Sequence, residues 1–115
     1  MLHSEDEELL HEARVHSVLE KMPTDITIEE MAARFKAISE PSRVKILLAL
    51  SDGELCVDHI CEAVGGNQSA VSHQLRILKD NRILKSRREG KKILYSIADS
   101  HIMIMVEMAK EHCNE

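Results

Sequence analysis

Apolar residues recur with helical spacing near the middle of the chain, where two short segments meet at a pair of glycines. Between residues 56 and 64 they stand at i, i+3, i+4 and i+7, which predicts an amphipathic helix. Gly65 and Gly66 interrupt this pattern, and a second helix is predicted over 68–79 with apolar residues on one face. Two short helices joined by a tight glycine turn predict a helix-turn-helix motif over 56–80.

The segments before this motif also have helical periodicity. A first helix is predicted from residue 5 to residue 20, within an N-terminal segment that spans 1–22. Thr24 and Asp25, with Thr27, can start the second helix, and Thr27 and Glu30 have the spacing of a capping box. Pro41 is expected to begin a third helix, which ends before a polar turn with a glycine.

The hydrophobic pattern changes from a helical period to alternation after residue 81. Residues 83–88 and 91–97 are predicted to form the two strands of a hairpin, called the wing (83–97). An apolar segment without glycine or proline follows and predicts a C-terminal helix within 99–115. The expected fold is mainly α with a β-hairpin wing, that is, a winged helix-turn-helix in a single domain over 1–115.

Composition restricts the class of protein. Hydrophobic residues make up 43% of the 115 residues but aromatic residues only 2%, so the core is expected to be aliphatic. No apolar run is long enough to span a membrane, and the acidic N-terminus is unlike a signal peptide. Three cysteines are an odd number and too sparse for a disulfide framework, which favours a protein of the reducing cytoplasm.

Charge is distributed unevenly along the chain. Residues 67–95 hold eight basic and two acidic side chains, a net charge of +6, whereas the remainder has a net charge of −11. A basic block on an acidic body is typical of a surface that docks on phosphates, so the sequence predicts binding to double-stranded DNA. The predicted DNA contacts are Gln68, Ser69, Ser72, His73 and Arg76 in the second helix of the motif, and Arg87, Arg88, Lys91 and Lys92 in the wing.

Four side chains of the kinds that bind metals close the sequence: Asp99, His101, His112 and Glu115. The two histidines are eleven positions apart, so on one helix they point the same way but lie roughly 16 Å apart. Metal–nitrogen bonds of about 2 Å exclude one ion shared by both histidines of a single chain. In a homodimer with these two helices packed antiparallel, Asp99 and His101 of one chain would meet His112 and Glu115 of the other. This arrangement would give two symmetric sites.

A purely structural role for these four residues is the alternative. Asp99 precedes the predicted helix and could serve only as its N-cap, while His112 and Glu115 could be solvated residues near the helix end. As ligands, two imidazoles and two carboxylates suit Zn²⁺ or Co²⁺. Four protein ligands leave no open position for a catalytic water, and so an enzyme is not expected.

Five stretches of sequence are informative together and in this order. They are EPSRVKIL from Glu40, ELCVDHIC from Glu54, QSAVSHQL from Gln68, RREGKK from Arg87, and the closing motif from Asp99. Over residues 28–115 they resemble the ArsR/SmtB family of bacterial metal-responsive repressors, which implies a dimer that binds operator DNA without metal and releases it with metal. The closing motif looks like that of the zinc-sensing branch, which implies those four residues as ligands and a relay from His112 to the backbone near Arg82.

Two other functions stay open on the sequence alone. Arsenic and cadmium sensors of the family resemble ELCVCDLC, and this chain has Asp58 in place of the middle cysteine. A thiol-based sensor of cadmium, arsenite or oxidants would use Cys56, Cys61 and Cys113, and a DNA-binding dimer with a purely structural metal is the third function. A second candidate metal site would combine Cys56, Asp58, His59 and Cys61 with His3, His11 or His16.

Overall fold

The computed structural model describes residues 4–115, which form two compact units that divide after Glu30. His3, one of the residues proposed for the second metal site, lies outside the described residues. The elements are α1 (Ser4–Lys21), α2 (Asp25–Ile38), α3 (Pro41–Ala49), β1 (Leu55–Cys56), α4 (Val57–Val64), α5 (Gln68–Asp80), β2 (Leu84–Glu89), β3 (Lys92–Ile97) and α6 (Ser100–Cys113).

The first unit contains α1 and the first turns of α2. Helix α1 begins with acidic residues and ends at a lysine, which complements the dipole of the helix. Helix α2 begins at Asp25, the earlier of the two starts that the sequence suggested, and Thr24 forms its cap. The Thr24 hydroxyl oxygen accepts a hydrogen bond of 3.2 Å from the backbone N–H of Thr27.

The second unit is built around an aliphatic core, as the composition predicted. Helices α3, α4 and α5 pack against one another, and β2 and α6 complete the core. Its most deeply buried side chains are Ile46, Leu47, Ile60, Leu75, Leu78 and Ile83. Neither aromatic residue of the chain belongs to this group, since Phe35 is exposed and Tyr95 is half-buried.

The helix-turn-helix motif has the predicted form. Helix α4 ends at Gly65, which has a φ of +76°, and the N–H of Gly65 donates to the carbonyl of Cys61 at 2.8 Å. A Cβ at Gly66 would lie 2.9 Å from a methyl group of Val71, so this close approach requires glycine. Asn67 then caps α5 by accepting a hydrogen bond of 2.8 Å from the N–H of Ala70.

The sheet has three strands, whereas the sequence predicted a two-stranded hairpin. Strands β2 and β3 pair antiparallel as predicted, and β1 adds to the other edge of β3 in the order β1-β3-β2. Cys56, which the sequence placed in the first helix of the motif, therefore lies in β1 opposite Leu94. A two-residue strand is too short to show alternation, so only its partner strand reveals it. Through β1 the wing is hydrogen-bonded directly to the start of α4.

The buried face of α5 gives a prediction for stability. Leu75 is fully buried against the core, so Leu75→Ala removes apolar contacts and leaves a cavity. We expect the free energy of unfolding in urea to fall by about 2–5 kcal/mol. The control is Lys79→Ala, an exposed site on the same helix, and a loss for L75A as small as that of K79A would contradict the packing.

Candidate DNA-binding surface and metal-binding pairs

Helix α5 has one buried and one exposed face. Val71, Leu75 and Leu78 point into the core. The five residues predicted to contact DNA are all exposed: Gln68, Ser69, Ser72, His73 and Arg76. Hydroxyl, amide, imidazole and guanidinium groups can hydrogen-bond to base edges and phosphates, so the exposed face of α5 has the chemistry of a recognition helix.

A buried hydrogen bond fixes α5 against α3, and sequence reasoning missed it. Arg43 Nη1 donates to Gln74 Oε1 at 3.1 Å, and both side chains are half-buried. Within residues 4–115 the buried Nε of Arg43 has no hydrogen-bond partner. Gln74 is thus an anchor of the recognition helix and not part of its exposed face.

The four basic residues predicted in the wing differ in their surroundings. Arg88, Lys91 and Lys92 are exposed and form no ion pair with any residue of the part of the chain described. Arg87 instead faces Glu54, a residue that the sequence did not assign to any site. Arg87 Nε lies 2.8 Å and 3.1 Å from the two oxygens of Glu54, and Nη2 donates to Glu54 and, at 3.1 Å, to Glu89.

The Glu54–Arg87 pair stabilises both charged forms. Hydrogen bonds from Arg87 lower the pKa of the Glu54 carboxyl, and the same bonds raise the pKa of Arg87. Because the Glu54 pKa is lowered on folding, the stabilisation is present above the pKa of the unfolded state. It is lost only as the pH falls through the lower folded pKa, so the pair is intact at neutral pH.

The four candidate metal ligands form two pairs at opposite ends of α6. Asp99 is the N-cap, and its Oδ1 accepts from the backbone N–H of His101 at 2.9 Å and lies 3.2 Å from His101 Nδ1. At the other end, His112 Nδ1 lies 3.4 Å from Glu115 Oε2. All four side chains are exposed. Capping and ligation are compatible in Asp99, because a carboxylate accepts more than one bond.

The helix keeps the two pairs apart, as its length requires. Eleven residues of helix separate the histidines by roughly 16 Å. Within the described residues, 4–115, no three histidine, cysteine, aspartate or glutamate side chains cluster as a metal site would require. Two imidazoles and two carboxylates are a set that fits Zn²⁺, and each end of α6 carries one of each, which is half of that set.

The cysteines occupy three different environments and none is in a disulfide. Cys56 is buried, Cys61 is half-buried, and Cys113 is exposed near the end of α6. Asp58 and His59 are exposed in the first turn of α4. His16 lies 3.0 Å from Glu20 within α1. Because the second candidate site combines residues of both units, it stays a prediction.

An apolar groove runs between α6 and the ends of α2 and α3. It encloses about 500 Å³ and is lined by Phe35, Ile38, Val44, Leu48, Met105, Val106, Ala109 and Cys113, with Ser39 and Lys110 at its polar positions. Beside it, Ile104 and Met108 of α6 are 53% and 65% exposed. The middle of α6, between the two ligand pairs, is therefore an uncovered apolar face, called here the α6 seam (Ile104, Met105 and Met108).

The fold and the exposed recognition helix define a winged helix-turn-helix DNA-binding protein. Residues 40–86 match the family described as bacterial regulatory protein, arsR family. Within the described residues, no helix is both long and apolar enough to cross a membrane.

Similar proteins support this classification. A transcriptional repressor SmtB homolog from Synechocystis is 38% identical over 110 residues, or 96% of this chain and 83% of that one. A cadmium resistance regulatory protein CadC homolog from Staphylococcus aureus is 37% identical over 92% of this chain and 88% of its own. The homodimeric winged helix-turn-helix DNA-binding domain of Mb0332 from Mycobacterium bovis superposes with a TM-score of 0.73 at 28% identity, covering 82% and 90%.

The chain belongs to the ArsR family, in its metal-responsive ArsR/SmtB branch, and is a transcriptional repressor and not an enzyme.

Proposed function

We propose that this protein is a zinc-responsive repressor, whose homodimer binds operator DNA without metal and releases it when Zn²⁺ binds between the subunits. The observation that carries the proposal is the arrangement of α6. One imidazole–carboxylate pair lies at each end, 3.2 Å and 3.4 Å between the paired atoms, and an uncovered apolar face lies between them. Such a repressor acts in the cytoplasm, where the bacterial chromosome is.

A second copy of the chain is the partner that fits the α6 seam. Across a two-fold axis, antiparallel α6 helices cover each other's apolar face and bring unlike ends together. The pair Asp99 and His101 of one subunit then meets His112 and Glu115 of the other, twice. The domain from M. bovis, which has a similar fold and is homodimeric, supports the homodimer.

Operator recognition is assigned to α5 and the wing. The two α5 helices of the dimer are placed to read two half-sites about one turn of DNA apart. Gln68, Ser69, Ser72, His73 and Arg76 are the proposed contacts in the major groove, and Arg88, Lys91 and Lys92 the proposed phosphate contacts of the wing. Arg87 was predicted with them, but its guanidinium faces Glu54.

The link between metal and DNA is proposed to pass from His112 to the end of α5. Arg82, just beyond that helix, has a φ of +60°, and the N–H of Ile83 donates to the carbonyl of Leu78 at 2.9 Å. The N–H of Arg82 also donates to the carbonyl of Lys79 at 3.0 Å, so the two bonds form a Schellman motif that ends α5. We propose this helix end as the point at which a change in how α5 is held begins. We expect a coupling free energy of about 1–3 kcal/mol, which is reciprocal, so operator DNA weakens zinc binding.

A cadmium- or arsenite-responsive repressor is the second candidate function, because one relative is a cadmium resistance regulator. Cys56 and Cys61 would be its thiol ligands. Zinc is favoured because Asp58 stands where thiolate sensors have a cysteine, and soft ions need two or three thiolates. Co²⁺ suits the same α6 ligands. Which of the two ions the protein binds in the cell depends on the availability of each metal as well as on these ligands.

A zinc titration of the operator complex tests the proposed function. We expect fluorescence anisotropy of labelled operator DNA to fall as zinc is added, with a weakening of about 5–150-fold at saturation. His101→Ala with His112→Ala should bind the same DNA but keep it in the presence of zinc. A variant with all three cysteines replaced by serine is the matched control and should respond like the natural protein.

Three outcomes would contradict the proposal in different ways. If zinc leaves DNA affinity unchanged while it stabilises the fold, the metal is purely structural. If the double histidine variant still releases DNA with zinc, the ligands are wrong. If the cysteine-free variant loses its response, the thiol-based function is favoured instead.

A further inference from the structure

The basic wing contains one guanidinium that is already surrounded by carboxylates. Glu54 ends the loop before β1, and both of its carboxylate oxygens face Arg87. Nη2 of Arg87 donates to Glu54 and also, at 3.1 Å, to Glu89. Of the three guanidinium nitrogens, only Nη1 of Arg87 has no hydrogen-bond partner within residues 4–115. Two carboxylates therefore lie against one guanidinium, and Lys85 is a further positive charge close enough to lower the pKa of the Glu54 carboxyl.

The position of this cluster in the sheet shows what it fixes. Arg87 lies opposite Leu94 of β3, and Leu94 lies opposite Cys56 of β1. Glu54 is two residues before Cys56, so its contact with Arg87 reaches from β2 across the middle strand to the opposite edge of the sheet. It joins the wing to the chain that enters α4, and so to the helix-turn-helix motif.

A phosphate approaching Arg87 would find the guanidinium already engaged by two carboxylates. Phosphate is an anion, and the face of the guanidinium best suited to bind two oxygens, Nε and Nη2, is occupied by Glu54. Arg88, the adjacent residue on β2, has no carboxylate partner within 4–115 and is exposed. Since alternate residues of a strand point to opposite faces, these two neighbouring arginines have different surroundings.

We propose that Arg87 is a positioning residue, and that the Glu54–Arg87 pair holds the wing in place for Arg88, Lys91 and Lys92 to contact phosphate. This rests on the proposed role of the wing in DNA binding. Arg87 itself neutralises no phosphate, because its charge is matched within the protein. Glu54 thus supports binding to an anionic ligand although it is itself an anion.

The dependence of DNA affinity on salt concentration distinguishes a residue that positions the wing from a residue that contacts phosphate. Each phosphate neutralised contributes about 0.9 to the slope of log K against log salt concentration. We expect Arg88→Gln to reduce that slope by about 0.9 per subunit, and Arg87→Gln to leave it unchanged while affinity falls by about two- to fivefold. The two variants are matched because they remove the same side chain and charge at adjacent positions.

Two further variants test the contact between Glu54 and Arg87 directly. Arg87→Lys keeps the charge but loses the forked geometry, so it should behave like R87Q if Arg87 positions the wing. Glu54→Gln should weaken DNA binding, and E54Q with R87Q should be no weaker than R87Q alone, since both remove one contact. Asp52→Asn, in the same exposed loop, controls for the general effect of removing an acidic charge.

Three results would overturn the proposal. The first is a slope that falls with R87Q as it does with R88Q, and the second is an R87K variant with natural affinity. The third is an E54Q variant that binds more tightly than D52N, which would mean that Glu54 competes with DNA for Arg87. If R88Q leaves the slope unchanged while R87Q and E54Q lose affinity non-additively, the positioning role stands and the proposed contact by Arg88 fails.

Discussion

A heterodimer of a His101→Ala subunit and a His112→Ala subunit should bind one zinc ion with natural affinity. Each homodimeric variant lacks one histidine in both sites and should bind zinc roughly 100-fold more weakly or worse, since even outer-shell changes cost about 10–100-fold. In the heterodimer, both missing histidines fall in the same site. The other site keeps Asp99 and His101 from one subunit and His112 and Glu115 from the other. Zinc affinity and stoichiometry are measured by competition with a chelator, on heterodimers purified through two different tags.

The same two substitutions placed in one subunit provide the control. A heterodimer of the natural chain with a His101→Ala, His112→Ala chain also lacks two histidines in total. If the sites are shared between subunits, each then lacks one histidine and neither binds tightly. If each end of α6 bound zinc within its own chain, the two heterodimers would bind zinc alike, because each keeps one copy of His101 and one copy of His112. The experiment therefore tests the shared site without depending on dimer stability, because the two heterodimers have the same composition.

The helical spacing of the closing motif could be predicted because helix geometry is regular. The rise per residue fixes the distance between His101 and His112 whatever surrounds them. The structure adds that the carboxylates pair locally, with Asp99 beside His101 and Glu115 beside His112. It also shows that Asp99 caps α6, the structural role that was the alternative. The cap and the two local pairs are properties of one short segment, which is why local sequence was sufficient to predict their spacing.

Contacts across the sheet could not be predicted in the same way. Glu54 and Arg87 are 33 positions apart, and their contact depends on a two-residue strand that no periodicity identifies. The same is true of Arg43 and Gln74, 31 positions apart. The sequence gives the net charge of the basic hairpin. Only the fold shows which of its basic residues is paired with a carboxylate of the same chain. Net charge predicted a phosphate-binding wing, but could not say which of the four basic residues predicted to contact DNA was already paired within the protein.

A charged side chain in the α6 seam should prevent the dimer from forming. Met108 is 65% exposed in a single chain, so its replacement removes little from the core of that chain. In an antiparallel dimer the same position is covered by the partner, and Met108→Glu would bury a carboxylate in an apolar surface twice. We expect M108E to sediment as a monomer at concentrations where the natural chain is a dimer. Its affinity for a palindromic operator should fall by about 100-fold or more, because the two half-sites are no longer bound together.

If the zinc sites are shared between subunits, M108E must lose tight zinc binding together with the dimer. A substitution on a surface outside the dimer contact would cause neither loss. M108E keeps all four candidate ligands, so a loss of tight zinc binding would come only from the separation of the two half-sets. Met108→Leu keeps an apolar side chain of similar size and should keep the dimer, the DNA affinity and the zinc sites. A monomeric M108E that still binds zinc tightly would show that the zinc sites are not shared between subunits. An M108E dimer with natural DNA affinity would instead place the dimer contact elsewhere, because an uncompensated carboxylate cannot lie in an apolar seam without cost.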